Sequence, residues 1–134
     1  MAPKLASVTI VVKDYDEAIH FFTRKLSFRL IEDTKLTIEK RWVLVSPPAD
    51  NSCCILLAKA VNERQTASIG NQTGGRVAFF LHTDNFWSDF EQLNKNEVHF
   101  VRQPEEQEYG TVAVFEDLYG NLWDLIQPKS NENN

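Results

Sequence analysis

The sequence predicts an α+β fold in which one βαβββ unit occurs twice in tandem. Two strand-like segments, residues 7–12 and 76–81, are each followed by an aspartate and a run of apolar residues at helical spacing. Three further strand-like segments follow each predicted helix. Because the order of elements, caps and apolar stripes matches over nearly the whole chain, we infer an internal duplication.

The first unit is predicted from alternation and helical spacing. In the strand at residues 7–12, Ser7 and Thr9 lie on one face and larger apolar residues lie on the other. Asp14 is expected to cap the helix that follows. The apolar stripe of this helix comprises Tyr15, Ile19, Phe22 and Leu26. The remaining strands of the unit are predicted at residues 28–31, 41–45 and 53–58.

The second unit is predicted by the same signals after a glycine-rich segment, Gly70–Gly75. Asp84 is expected to cap its helix, and residues 104–108 are expected to form a solvated acidic loop. The other strands are predicted at residues 98–101, 112–115 and 122–127. We therefore predict a single domain over residues 1–134, with module one at about 5–60, a linker at 61–75, module two at about 76–128 and a tail at 129–134.

The segment 112–128 carries the strongest functional signal. Two apolar runs flank the turn-forming stretch Asp-Leu-Tyr-Gly-Asn, which predicts a β-hairpin. Asp124 lies inside the second apolar run. A carboxylate at such a position is costly unless it lines a wet cavity, pairs with a cation or binds a metal.

Composition narrows the classes of partner. The 134 residues are 43% hydrophobic and 25% charged, with a formal net charge of −5, which argues against nucleic acid and anionic membranes as partners. No apolar run is long enough to span a bilayer and the N-terminus lacks a secretory pattern, so we expect a cytoplasmic protein. The adjacent cysteines Cys53 and Cys54 would point to opposite faces of a strand and should not bridge each other.

Three phrases carry a resemblance to a known family. Val-Thr-Ile-Val-Val-Lys-Asp, Arg-Val-Ala-Phe and Tyr-Gly-Asn-Leu-Trp-Asp-Leu-Ile-Gln, set in two βαβββ units, resemble the vicinal oxygen chelate superfamily over about residues 5–128. Within that superfamily, this chain most resembles the glyoxalase and bleomycin resistance proteins. The resemblance implies curved half-barrel sheets, the glyoxalase/bleomycin resistance/dihydroxybiphenyl dioxygenase-like fold. It also implies a pocket between two modules, paired either within one chain or across a dimer.

The same resemblance allows a test for a metal. Metal-using relatives place one ligand on the first strand and one on the last strand of each module. The first-strand positions fall on Ser7 and Arg76, and the last-strand positions fall on Asp124 and on either Cys54 or Leu56. A serine hydroxyl is a poor ligand for these metals, and a guanidinium has no lone pair to offer. We therefore expect no metal and no other cofactor, with Cys54 and Asp124 as residual candidate ligands.

The resemblance and strand alternation together predict the pocket lining. The candidate residues are Ser7, Thr9, Trp42, Cys54, Leu56, Arg76, Phe80, His82 and Asp124. Trp42 and Phe80 are expected to stack on a ligand. An ion pair between Arg76 and Asp124 is expected where relatives hold a metal. Either this ion pair is structural, or Arg76 binds an anionic group of a ligand while Asp124 orients the Arg76 side chain.

Three functions are compatible with the sequence. The first is a binding protein that takes a small organic molecule in the concave pocket, similar to bleomycin resistance proteins, with a degraded metal site. The second is a metal-dependent glyoxalase I-like lyase or extradiol dioxygenase-like enzyme, in which Asp124 acts as ligand or general base, alone or with Cys54 or His82. The third is an inert scaffold. A homodimer is expected in each case, and no catalytic residue is assigned.

Overall fold

The computed structural model describes residues 2–130, which form two compact units that meet in sequence between Gln72 and Thr73. Each unit contains one four-stranded mixed sheet and at least one helix. This confirms the α+β class and the two tandem βαβββ modules. Among the described residues, no helix combines the length and apolar character needed to cross a membrane.

The first unit contains four strands and two helices. The strands are β1 (Ser7–Val12), β2 (Arg29–Lys35), β3 (Arg41–Ser46) and β4 (Cys54–Lys59), and the helices are α1 (Tyr15–His20) and α2 (Glu63–Ser68). A π-helical turn, Phe21–Lys25, continues α1. The strand order is β1-β4-β3-β2, with β1 parallel to β4 and the other neighbours antiparallel.

The second unit repeats this arrangement with one helix. Its strands are β5 (Val77–His82), β6 (Phe100–Gln107), β7 (Gly110–Glu116) and β8 (Leu122–Pro128), and its helix is α3 (Phe86–Lys95). The strand order β5-β8-β7-β6 corresponds to that of the first unit, again with a parallel first and last strand.

The core of the first unit joins the helix stripe to one sheet face. Ile10 on β1, Leu57 on β4 and Val43 on β3 are fully buried, as is Phe22 of the π-helical turn. Asp14 caps α1 as predicted, because its carboxylate accepts a hydrogen bond from the Glu17 N–H at 2.9 Å. Alternation in the strands therefore turns the remaining side chains, both polar and apolar, to the opposite sheet face.

Arg41 ties α1 to the outer strands of the first unit. Its guanidinium makes two hydrogen bonds to the Asp33 carboxylate, of 3.1 and 2.7 Å, and one of 2.9 Å to Asp16. It also lies over the Tyr15 ring, 5.1 Å from the centroid. The hydrogen bonds from Arg41 hold the pKa of Asp33 below its usual value. Arg41 thus belongs to the helix side of the sheet.

A row of aromatic rings forms the core of the second unit. Phe79, Trp123, Phe115 and Phe100 lie on adjacent strands, with successive centroid distances of 4.4, 5.8 and 5.7 Å. Phe90 of α3 packs on Phe100 at 4.6 Å. Because these rings occupy one face of β5, β8, β7 and β6, the residues that alternate with them lie on the other face.

The turn between β7 and β8 is built around the buried carboxylate of Asp117, which is 4% exposed. It accepts hydrogen bonds from the backbone N–H groups of Tyr119 and Asn121 at 3.0 and 3.1 Å. The Asn121 amide and the Trp123 indole each donate a further bond to it at 3.0 Å. Burial raises the pKa of Asp117, and the hydrogen bonds from Trp123 and Asn121 oppose that rise. The predicted hairpin is confirmed, and Asp117 fixes its turn.

Two predictions for the second unit are wrong. Asp84 does not cap α3, because the cap residue is Asn85, whose N–H donates to the Thr83 hydroxyl at 2.9 Å. Residues 104–107 are not a loop, because β6 continues to Gln107 and pairs with β7, and only Glu108 of the predicted loop lies in the turn. β6 is an edge strand, where charged side chains stay solvated while the backbone completes the ladder.

The predicted linker also contains structure that the sequence did not reveal. Helix α2 lies within it and is capped by Asn62, whose side-chain oxygen accepts from the Gln65 N–H at 2.9 Å. The Gln72 amide then bonds to the backbone of β1, accepting from the Val11 N–H at 2.6 Å and donating to the Thr9 carbonyl at 3.0 Å. Gln72 therefore satisfies backbone groups on the free edge of β1.

We predict that Asp117→Asn destabilises the protein by about 1–3 kcal/mol, because one accepting oxygen becomes an NH₂ group facing buried donors. Chemical denaturation monitored by tryptophan fluorescence measures this change in the free energy of unfolding. Asp84→Asn serves as the control, because Asp84 is exposed, and it should shift stability by less than about 0.5 kcal/mol. Equal midpoints for the two variants would contradict the role given to Asp117.

Candidate ligand-binding site

The face of the first sheet that lies opposite the helix carries five of the candidate residues. These are Ser7, Thr9, Trp42, Cys54 and Leu56. The parallel register pairs Ser7 directly with Cys54, so the hydroxyl and the thiol are neighbours at the start of the two strands. Trp42 shares this face by alternation from Leu44, which pairs with Leu56, and it is 37% exposed. The result is a mixed face with hydroxyls, one thiol and one accessible indole.

The two cysteines do not bridge each other, as predicted, but they do not share a strand as the sequence suggested. Cys53 is exposed, Cys54 is partly buried, and both are free thiols. Only Cys54 lies within a strand, beside Ser7. The thiol at this sheet face is therefore available to a ligand as a small, weakly polar contact.

The corresponding face of the second sheet carries a row of four paired residues, one on each strand. Phe80 on β5 pairs with Asp124 on β8, Asp124 pairs with Val114 on β7, and Val114 pairs with Arg102 on β6. Phe80 is 60% exposed, whereas Val114 is only 3% exposed. Asp124 therefore lies between an accessible aromatic ring and a buried aliphatic side chain, with a guanidinium one strand further along.

Asp124 has an electrostatic environment unlike that of Asp117. It is partly buried, and within residues 2–130 no group donates a hydrogen bond to its carboxylate. Burial raises the pKa of Asp124 above its ordinary value, and the positive charge of Arg102 lowers it in part. Arg102 stands two strands away, at about 10 Å between backbones, so it acts through space rather than by direct pairing.

The predicted role of Arg76 is wrong in two respects. Strand β5 begins at Val77, and Arg76 lies in a bend before it with an exposed side chain. The Arg76 carbonyl accepts a hydrogen bond of 2.6 Å from the Thr73 hydroxyl within this bend. The register also shifts between Val77 and Phe79, so simple alternation back from Phe80 fails. Arg76 consequently makes no ion pair with Asp124.

His82 and Arg102 also lie on the sheet face that carries Asp124. His82 is the last residue of β5, pairs with Ile126 and has an exposed side chain. Because it is two residues after Phe80, it lies on the Asp124 face, in the next row along the strand. Arg102 was not among the residues expected at the site, because its strand was predicted to end at Val101. Alternation from Phe100 would place Arg102 on the core face, and only the register shift between Phe100 and Arg102 brings it to the Asp124 face, so no local signal could have found it.

Comparisons with known proteins identify the family. The model of the Glyoxalase/Bleomycin resistance protein/Dioxygenase superfamily matches residues 4–125. The chain belongs to this superfamily. A protein of Shewanella frigidimarina, described only as uncharacterized, is 56% identical over 128 residues and aligns over 95% of both chains.

Solved structures agree with this assignment. The crystal structure of UcmS2 is similar at a TM-score of 0.82 with 33% identity, covering 94% of this chain and 98% of that one. TnmS3, an antibiotic binding protein from Streptomyces sp. CB03234, is similar at a TM-score of 0.78 with 23% identity, covering 96% of this chain and 98% of that one. At that identity, the second likeness shows the shared fold.

Three of the residues that the resemblance places at metal positions offer few atoms that could bind a divalent metal. Ser7 offers a neutral hydroxyl, Arg76 offers no lone pair and lies outside its strand, and Asp124 is flanked by Phe80 and Val114, which have no donor atoms. Within residues 2–130, no three or more His, Cys, Asp or Glu side chains are grouped so that they could hold a metal ion.

We predict that Asp124→Asn raises the melting temperature at neutral pH. Because burial raises the pKa of Asp124 in the folded chain, folding favours its protonated form, and stability is lost as the pH rises from about 3.8 through the folded pKa. Removing the charge should restore that stability above this window, whereas the two proteins should converge below it. Thermal unfolding from pH 3.5 to pH 7 checks this, with the exposed Asp84→Asn as control. A lower melting temperature for Asp124→Asn at pH 7 would contradict the assigned environment.

Proposed function

We propose that this protein binds a small organic molecule on the sheet face that lies opposite the helix in either unit, and that it requires no metal to do so. The observation that carries the proposal is the set of side chains at the superfamily's metal positions: Ser7, Arg76, Asp124 and either Cys54 or Leu56. Catalytic zinc sites in proteins use three protein ligands, and this set offers one carboxylate and at most one thiol. These residues can bind a ligand without a metal, by shape complementarity and hydrogen bonds.

The accessible aromatic side chains support binding. Trp42 in the first unit and Phe80 in the second unit are exposed on faces that also carry polar groups. An aromatic ring supplies a large contact area at low conformational cost, and it suits a flat organic ligand. TnmS3, a structural relative, is an antibiotic binding protein, which supports a binding role for this fold.

A metal-dependent enzyme is the second candidate. One observation favours it: Asp124 is a partly buried acid whose pKa is raised, and such groups occur often at catalytic sites. In that case Asp124 would act in a glyoxalase I-like lyase or an extradiol dioxygenase-like enzyme, as a ligand or general base. This candidate needs a metal held by fewer protein groups than usual.

Metal analysis combined with thermal shifts separates the two candidates. We expect protein purified without chelator to contain far less than one equivalent of metal, and Ni²⁺, Zn²⁺, Mn²⁺ and Fe²⁺ to leave the melting temperature unchanged. We expect compounds from an organic library to raise it, since a ligand at a hundred times its Kd adds about 2.7 kcal/mol.

The contrary outcomes are equally specific. One equivalent of metal that is lost in Asp124→Ala but kept in Asp84→Ala would favour the enzyme. Stabilisation by neither metals nor organic compounds would favour an inert scaffold.

We further propose that the chain forms a homodimer in the cytoplasm. β2 is an edge strand, and apolar side chains are exposed along it and on the turn that follows: Leu30, Ile31, Leu36 and Ile38. A second copy of the chain would remove these groups from water. The free thiols Cys53 and Cys54 suit a reducing compartment.

We predict that sedimentation velocity at micromolar concentration shows a dimer, and that Ile31→Lys shifts it toward monomer because a charge is placed on the exposed edge strand. Val61→Lys is the control, because Val61 is an exposed apolar residue elsewhere in the first unit. A monomeric unmodified protein would remove the dimer proposal.

A further inference from the structure

We propose that the ligand of this protein carries a cationic hydrogen-bond donor attached to a flat apolar body, with Asp124 binding the cation and Phe80 binding the flat part. This inference rests on the proposed binding function and specifies its ligand class. It replaces the expectation that Arg76 takes an anionic group, since Arg76 lies outside the strand and apart from Asp124.

Asp124 has a hydrogen-bonding need that the described residues do not meet. An ionised carboxylate accepts several hydrogen bonds, and one that is partly removed from water without them is unfavourable. In the described part of the chain the neighbours across the sheet, Phe80 and Val114, cannot donate. A protonated amine would supply both donors and charge, so the stabilisation would be gained only when the ligand binds.

An accessible aromatic ring, Phe80, lies beside this carboxylate. Phe80 pairs with Asp124 in the parallel register, so their backbones lie about 4.8 Å apart and their side chains share one face. The ring is 60% exposed, whereas the rings on the opposite face are stacked in the core. A flat apolar group on Phe80 would place an attached amine beside Asp124, and the ring face itself attracts a cation.

Arg102 makes the electrostatic environment of Asp124 asymmetric. It lies on the same row beyond the buried Val114, so the positive charge stands at the far side of Asp124 from Phe80. A cation is therefore attracted to the Phe80 side of the carboxylate and repelled from the Arg102 side. The net charge of −5 also favours the approach of a cation over that of an anion.

A matched series of probes tests the inference. Naphthylmethylamine, naphthylmethanol and naphthoate share one flat ring system and differ in charge. We expect the amine to bind the full chain at least about tenfold more tightly than the alcohol, and the carboxylate to bind most weakly, as measured by isothermal titration calorimetry.

Variants assign the effect to residues. Asp124→Asn should abolish the preference for the amine over the alcohol, whereas Phe80→Ala should weaken all three probes about fivefold. Arg102→Gln should strengthen amine binding about twofold by removing a repelling charge. The controls are Asp84→Asn, which removes an exposed carboxylate, and Tyr109→Ala, which removes a ring that is 58% exposed in the same unit. Neither control should change binding.

The outcomes separate this inference from the function on which it rests. Tighter binding of naphthoate, binding of none of the three probes, or an unchanged amine preference in Asp124→Asn would overturn the cationic ligand. A library compound that binds equally to Asp124→Asn and Phe80→Ala would overturn this inference while leaving the binding function intact. One equivalent of metal at Asp124 would overturn the binding function itself. Since Asp124→Asn is expected to be more stable than the natural chain, unfolding would not explain a loss of binding.

Discussion

The hydrogen bonds around Asp117 are the constraint on which the second unit depends. Its buried carboxylate gathers the N–H groups of the β7–β8 turn and the indole of Trp123. Trp123 in turn stacks between Phe79 and Phe115 in the core. One polar group therefore sets the turn, the position of the central ring and the register in which β8 lies between β5 and β7. That register aligns Asp124 with Phe80 on β5 and with Val114 on β7.

The same hairpin contains two acids with opposite roles. Asp117 is almost completely buried and has donors for its oxygens, so hydrogen bonds offset part of the cost of its burial. Asp124 is less buried but receives no hydrogen bond from residues 2–130, so its burial is not compensated. Locally unfavourable groups of this kind are expected mainly at functional or strained sites. This contrast is the reason why Asp124, and not Asp117, is the acid that we propose to meet a ligand.

The two units show how one scaffold supports different surfaces. Both use a parallel pair of first and last strands and bury one sheet face against a helix stripe. The opposite face of the first unit carries hydroxyls and a thiol, and that of the second carries a ring, an acid and a guanidinium. Membership in the superfamily fixes the scaffold, while the side chains at these faces decide the chemistry.

The sequence alone determined the elements whose signals are local. Alternation, helical spacing and the Asp14 cap predicted both βαβββ units, and turn chemistry predicted the hairpin of residues 112–128, because these patterns depend on neighbours close in the chain. Tertiary structure decided which residues meet. Asp124 pairs with Phe80 and not with Arg76, which precedes β5, and the pairing of β6 with β7 brings Arg102 into the same row. Such contacts depend on how strands align across the sheet, and a one-residue shift moves side chains to the opposite face, which local periodicity does not encode.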